Sequence, residues 1–182
     1  MGPKISKIFI YGVPGAGKTT VSLELQSKLQ YPLVEADALR EIAQKEKTER
    51  EDPFVYVGTT EAFRKFGELS EDHAIKGLQA VRKSMAPYVS RKIFEYPDRL
   101  ILEGAFLDPE KICEFGKLVL IITSDEQKHS SHYFEHREQN ENNTKAFQAA
   151  RIIQGYIFRE ASMYDVSIIE NGKAPDDLVM KM

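Results

Sequence analysis

The sequence predicts an α/β fold in three layers, a five-stranded parallel sheet with helices on both faces. Three observations carry that prediction. Short β-branched or aliphatic runs alternate with longer amphipathic ones along the chain, the pattern of successive βαβ units. One glycine-rich loop, Gly12-Val13-Pro14-Gly15-Ala16-Gly17-Lys18-Thr19-Thr20, stands between the first such strand and the first such helix. Chemically capable side chains fall at strand ends, and an open parallel sheet gathers ligands at the carboxyl ends of its strands. A chain of 182 residues is one ordinary domain with room for a sizeable core, so residues 1–182 are read as a single domain.

The first strand is Lys4-Ile5-Ser6-Lys7-Ile8-Phe9-Ile10-Tyr11. Behind the loop, Val21, Leu25 and Leu29 recur four apart and form one buried helix face. Pro32 to Ala36 is a short second strand, and Asp37 has the chemistry of a helix cap ahead of Ala38 to Lys45. Lys45 to Asp52 is a charge run, a solvated loop or fraying helix end. Between Pro53 and Leu69, Gly58, Thr59, Thr60 and Gly67 argue for loops around a short helix; residues 46–70 are the candidate cap over an acceptor site. Ser70 can cap a long helix carrying Ala74, Leu78, Val81, Met85 and Val89 inward, which Pro87 is expected to kink or divide. Arg99 to Gly104 is a third strand, apolar as one buried on both faces must be. Lys117 to Thr123 is the fourth. Lys145 to Met163 is a helix with Phe147, Ala150, Ile153, Ile157 and Ala161 inward. Asp165 to Glu170 is the fifth strand, and Asp176 to Met182 a short closing helix.

Composition narrows the function classes. With 42% hydrophobic and 29% charged residues the chain has the proportions of a soluble globular protein. A net charge of −3 supplies no global attraction to nucleic acid or to a membrane surface. The longest aliphatic run, Leu118 to Ile122, is too short to cross a bilayer, and Met1-Gly2-Pro3-Lys4 carries no apolar leader. The single cysteine, Cys113, cannot form an internal disulfide, which suits a reducing, cytoplasmic setting.

The glycine loop fits G-x-x-x-x-G-K-[ST], the phosphate-binding loop. Gly12, Gly15 and Gly17 let the backbone approach a phosphate closely, and successive N–H groups converge on it. Lys18 brings charge to the β- and γ-phosphates of ATP, and the Thr19 hydroxyl reaches Mg2+. The flanking strand and helix complete a P-loop NTPase architecture. Asp37, at the end of strand two, can act as general base towards an acceptor hydroxyl, and Arg40, one turn on, can clamp an anionic group. Glu103 ends an apolar strand and can hold magnesium or orient the acceptor, with Gly104 permitting close approach. Arg64 and Lys65 are further basic candidates on the acceptor side. Asn171 lies at the same edge, beside the nucleotide.

Ser124 to Lys145 is polar, lacks aliphatic anchors and reads as a mobile lid over ATP, from which Arg137 can stabilise the transferring phosphoryl group. His129, His132 and His136 fall at spacings that suggest a zinc site; a solvated helix face accounts for them more simply. No Asn-Lys-x-Asp guanine signature follows strand four.

These motifs resemble the small P-loop kinases of the 2-phosphoglycerate kinase family, within the nucleoside-monophosphate-kinase-like superfamily. The likeness lies in the phosphate loop, Asp37-x-x-Arg40-Glu41, the strand Leu100 to Gly104, Asp125-Glu126 with His129, Ile152 to Ile157, and Val166 to Asn171. The family tends to carry histidine where this chain has Phe106, and several lid arginines where this chain has Arg137 alone. The resemblance implies a sheet in the order 2-3-1-4-5. The expectation is an ATP- and Mg2+-dependent kinase acting on a hydroxyl of a small anionic metabolite, 2-phosphoglycerate-like, as a monomer or homodimer. A polynucleotide 5′-hydroxyl or nucleotide kinase is one alternative, disfavoured by the absence of a basic stripe. A non-kinase nucleotide switch or ATPase is the other.

Overall fold

A computed structural model describes residues 7–171. The expected strand residues Lys4 to Ser6 and the expected helix Asp176 to Met182 lie outside them. The strands are β1 (Lys7–Tyr11), β2 (Leu33–Glu35), β3 (Leu100–Glu103), β4 (Lys117–Ile122) and β5 (Val166–Glu170). All pair in parallel, in the order β2-β3-β1-β4-β5, the order the resemblance implies. The helices are α1 (Lys18–Leu29), α2 (Ala36–Glu46), α3 (Glu71–Glu95), α4 (Pro109–Ile112), α5 (Glu126–Phe134) and α6 (Glu141–Glu160). Two short 3-10 turns, Pro53–Val55 and Ala62–Lys65, shape the segment between α2 and α3.

The three inner strands are buried almost throughout, and only the edge strands β2 and β5 are partly open. Their aliphatic runs leave no polar face, which is why helices must cover both sides. The inward faces of α3 and α6 are the ones the periodicity picks out: Leu78, Val81, Met85, Ile153 and Ile157 are all essentially closed to solvent.

Four boundaries differ from the sequence expectation, each for a physical reason. β2 stops at Glu35, and Ala36 already begins α2. A Cβ on Gly104 would lie 2.2 Å from the Ala36 Cβ, so the end of β3 fits against the first residue of α2 and the chain turns at once. Asp37 is therefore inside the first helical turn, not a cap; its carboxylate complements the positive end of the helix. α3 runs unbroken through Pro87. Pro87 and Lys83, whose carbonyl loses its partner, are both on the exposed side, so water satisfies the lost bond. α6 begins at Glu141, because the Asn140 side chain accepts from the Asn143 N–H at 2.9 Å. Residues 126–134 form α5, capped by Asp125, which accepts from Lys128 N–H at 2.9 Å.

That last helix corrects the reading of the lid as anchor-free. Its inward residues His129 and Tyr133 are buried, and Phe134 joins them against Phe147 of α6. The anchors are aromatic, and a search for aliphatic periodicity passes over them.

Candidate active site

The phosphate loop sits between β1 and α1, where successive glycines are set by their surroundings. Gly17 caps α1 with φ 95°, and a Cβ there would fall 2.8 Å from the Asn171 side chain. A Cβ on Gly15 would meet the Tyr133 backbone at 3.0 Å. The loop is thus packed from one side by α5 and from the other by the end of β5. His129 holds it directly: its Nε2–H donates to the Pro14 carbonyl at 2.9 Å, which fixes the tautomer, and its Nδ1 accepts from Arg151 Nη1 at 3.2 Å. Burial and the Arg151 charge hold the imidazole below its ordinary pKa, against the pull of the Pro14 bond. Among the described residues no three His, Cys, Asp or Glu side chains are grouped to hold a metal ion, and His129 faces the loop, away from the solvated face expected for it.

Three candidate side chains converge behind the loop. Lys18 is buried, with Nζ donating to the Val13 carbonyl at 3.1 Å and 3.9 Å from Glu103 Oε1. Burial lowers its pKa, and the neighbouring Glu103 and Asp37 oppose that shift. Thr19 Oγ1 donates to Glu103 Oε2 at 3.3 Å. Glu103 is itself pushed up by burial, with Lys18 pulling the other way. It stands at the end of β3 between Ile10 of β1 and Glu35 of β2. A hydroxyl and a carboxylate converging beside a buried lysine fit a hydrated Mg2+ between them and the nucleotide.

A cavity of about 400 Å³ opens from these residues. Pro14, Gly15, Lys18, Thr19, Asp37, Arg40, Glu103, Gly104 and Arg137, all candidates from the sequence, line it. Asp37 is exposed to it, with no hydrogen bond or ion pair to another described residue. Arg40 is already engaged: one nitrogen, Nη1, donates to the carbonyls of Val57 at 2.8 Å and Val55 at 3.0 Å, and its guanidinium lies 5.4 Å from the Phe106 ring centroid. Arg137 Nη1 donates to Tyr133 O at 2.8 Å, with the guanidinium 4.5 Å from that ring centroid.

Other candidates stand outside the cavity. Val13 and Ala16 are buried behind the loop and Thr20 is exposed on α1. Gly12 and Gly17 shape the loop without lining the cavity, and Asn171 packs on Gly17 while its Nδ2 contacts His132 Nδ1 at 3.1 Å. Arg64 donates to Asn142 O at 2.8 Å and pairs with Glu61 at 3.5 Å. It ties the cap to the start of α6, since its helical turn aims it away from the cavity.

The sequence reading missed Glu35, Glu61, Phe106 and Tyr133 as lining residues, and treated Thr59 and Thr60 only as loop formers. Glu35, two residues before Asp37 at a strand end, was legible by the same argument. Gln154 was seen only as part of a motif. Its amide exchanges two 3.0 Å hydrogen bonds with the Thr123 backbone, securing the end of β4 next to the loop.

The fold is shared with solved structures. Over 98% of this chain and 96% of theirs, it matches TT1252 from Thermus thermophilus at a TM-score of 0.60 and 19% identity. It matches shikimate kinase from Acinetobacter baumannii, in complex with shikimate, at 0.56 and 18% identity over 98% of this chain and 90% of that one. Deoxyadenosine kinase from M. mycoides with bound dATP matches at 0.50 and 14% identity, over 97% of each chain. At these identities the likeness establishes the three-layer P-loop fold. No curated protein matches the chain in sequence. A model of the AAA domain family matches residues 8–154, from the first strand through the phosphate loop and β4 into α6, and the chain belongs to that family.

Proposed function

We propose that the protein transfers the γ-phosphoryl group of ATP to a hydroxyl of a small molecule. The observation that carries this reading is Asp37, an unpartnered carboxylate facing the same cavity as Lys18, Thr19 and Glu103. A nucleotide switch has no use for such a base. In the proposed step Asp37 accepts the proton of the acceptor hydroxyl, whose oxygen bonds to the γ-phosphorus as the bridging oxygen departs with ADP. Lys18 exchanges the Val13 carbonyl for the γ-phosphate and follows it through the transition state. Arg137, at the cavity wall, neutralises charge on the phosphoryl oxygens. Thr19 and Glu103 would hold Mg2+, which when bound screens the phosphate charge.

Shikimate kinase and deoxyadenosine kinase, both of similar fold, are named for small-molecule acceptors, which supports the reading. A 2-phosphoglycerate-like acceptor, implied by the sequence resemblance, requires a free cation on the acceptor side. Arg40 and Arg64 are the candidates there, and both are already bonded to protein groups.

The test is ADP release by the purified protein with ATP and Mg2+ across a panel of hydroxyl acceptors, with Lys18→Ala as control. Transfer should need an acceptor and vanish in the folded variant. ADP release at one rate whatever the acceptor would mark an ATPase and overturn the proposal.

A further inference from the structure

Resting on the phosphotransferase reading, we propose that the acceptor is a polyhydroxylated molecule without negative charge, a sugar or amino sugar in type, selected by the carboxylates Glu35, Asp37 and Glu61.

The acceptor half of the cavity lies between the start of α2 and residues 58–61. Glu35, Asp37 and Glu61 line it beside Arg40, while Lys18, Glu103 and Arg137 line the same cavity towards the phosphate loop. The cation is the committed partner: Arg40 Nη1 is shared among backbone carbonyls of 54, 55 and 57, and its face is turned to Phe106. Glu35 and Asp37 are the uncommitted ones, with no hydrogen bond or ion pair among the described residues. The positive end of α2, which would otherwise attract an anion, has Glu35 at its N-cap and Asp37 in its first turn. An acid entering here meets the repulsion of three carboxylates, beside an Arg40 whose Nη1 is already turned to backbone carbonyls.

A second observation points to hydroxyl recognition. Thr59 and Thr60 are each only 4% exposed, line the cavity, and have no side-chain hydrogen bond to a described residue. With no protein partner, these hydroxyls are open to the cavity, where a ligand can supply the bond. A threonine hydroxyl both donates and accepts, while a carboxylate only accepts. Ligand hydroxyls and ammonium groups satisfy both sets; a ligand carboxylate or phosphate satisfies only the threonines. Phe106, 3% exposed, adds an apolar patch for the C–H face of a ring. A site built of such donors and acceptors rejects analogues that cannot pair with them.

The experiment compares acceptors of one skeleton: glucose, glucosamine and gluconate, then glycerol, glycerate and 2-phosphoglycerate. Each is measured twice: by ADP release at saturating Mg-ATP, and by calorimetric binding with a non-hydrolysable ATP analogue present. The expected order places the neutral or amine member at least tenfold above its acid in binding and, where transfer occurs, in kcat/KM. Glu35→Gln and Glu61→Gln should each narrow that gap at least threefold, with Km for ATP unmoved. Binding in the expected order without ADP release supports the inference while overturning the phosphotransferase reading. Acids bound equally or better, no binding by any of the six, or a gap unchanged in both variants overturns the inference.

Discussion

Replacing Phe147 with alanine tests whether α5 is anchored or free. Phe147 is 7% exposed, and its ring centroid lies 5.1 Å from His129, 5.3 Å from Tyr133 and 5.7 Å from Phe134. Truncating a buried phenylalanine costs about 3–5 kcal/mol. The lower end of that range, about 3 kcal/mol, lowers Tm by about 6–12 °C for a chain of this size. Because His129 holds Pro14 and the Tyr133 backbone rests on Gly15, part of the damage is local. Amide exchange in residues 126–134 should accelerate, and ATP affinity should fall with it. Urea unfolding and hydrogen exchange on wild type and variant measure both. A loss under about 1 kcal/mol with unchanged exchange in α5 would refute the anchored reading.

Asp37→Asn should lower kcat by about a hundredfold with ATP's KM little changed; because the side chain is exposed, the urea midpoint should stay put, and a folding defect would reduce Asp37 to a structural role. Arg82 and Glu160 form a buried pair with two 2.8 Å hydrogen bonds, so Glu160→Ala should cost about 3–5 kcal/mol while Arg82→Met with Glu160→Leu recovers most of it; equal losses in the single and double variants would contradict that account. The folded chain holds His129 below its ordinary pKa, whereas the unfolded chain takes a proton near about 6.5. Its contribution is therefore intact above about pH 7 and is lost as pH falls below about 6.5. Urea midpoints from pH 7.5 to 5 should drop more steeply in wild type than in His129→Gln, and parallel curves would count against it.

The phosphate half of the site was legible because each residue type there answers a local demand. Gly17 must adopt a left-handed backbone, Lys18 must carry charge, and Thr19 must present a hydroxyl one residue on. These requirements are consecutive in sequence, so a short pattern reveals them. The strand order came from the resemblance, and the inner strands from their unbroken aliphatic runs. α5 was missed because its buried face is made of His129 and Tyr133, residue types that periodicity searches count as polar or ambivalent. The helix starts slipped at Ala36 and Glu141, where contacts with Gly104 and Asn143 decide the boundary.

The acceptor half was harder because its residues come from separate elements and each has two plausible partners. Arg40 invited assignment as an anion clamp, since a guanidinium one turn from a carboxylate is well placed to bind an acid. In the fold its Nη1 donates to the carbonyls of residues 55 and 57, the first of which also accepts from Gln44 Nε2 at 3.0 Å. The Arg40 charge still acts on Asp37 and Glu61, while the hydrogen-bonding capacity of Glu35 and Asp37 is left to a ligand in the cavity. A residue's role here follows from which of its hydrogen bonds the backbone claims first. Specificity should therefore change more with substitutions at Glu35 and Glu61 than with substitution of the arginine that the sequence makes conspicuous.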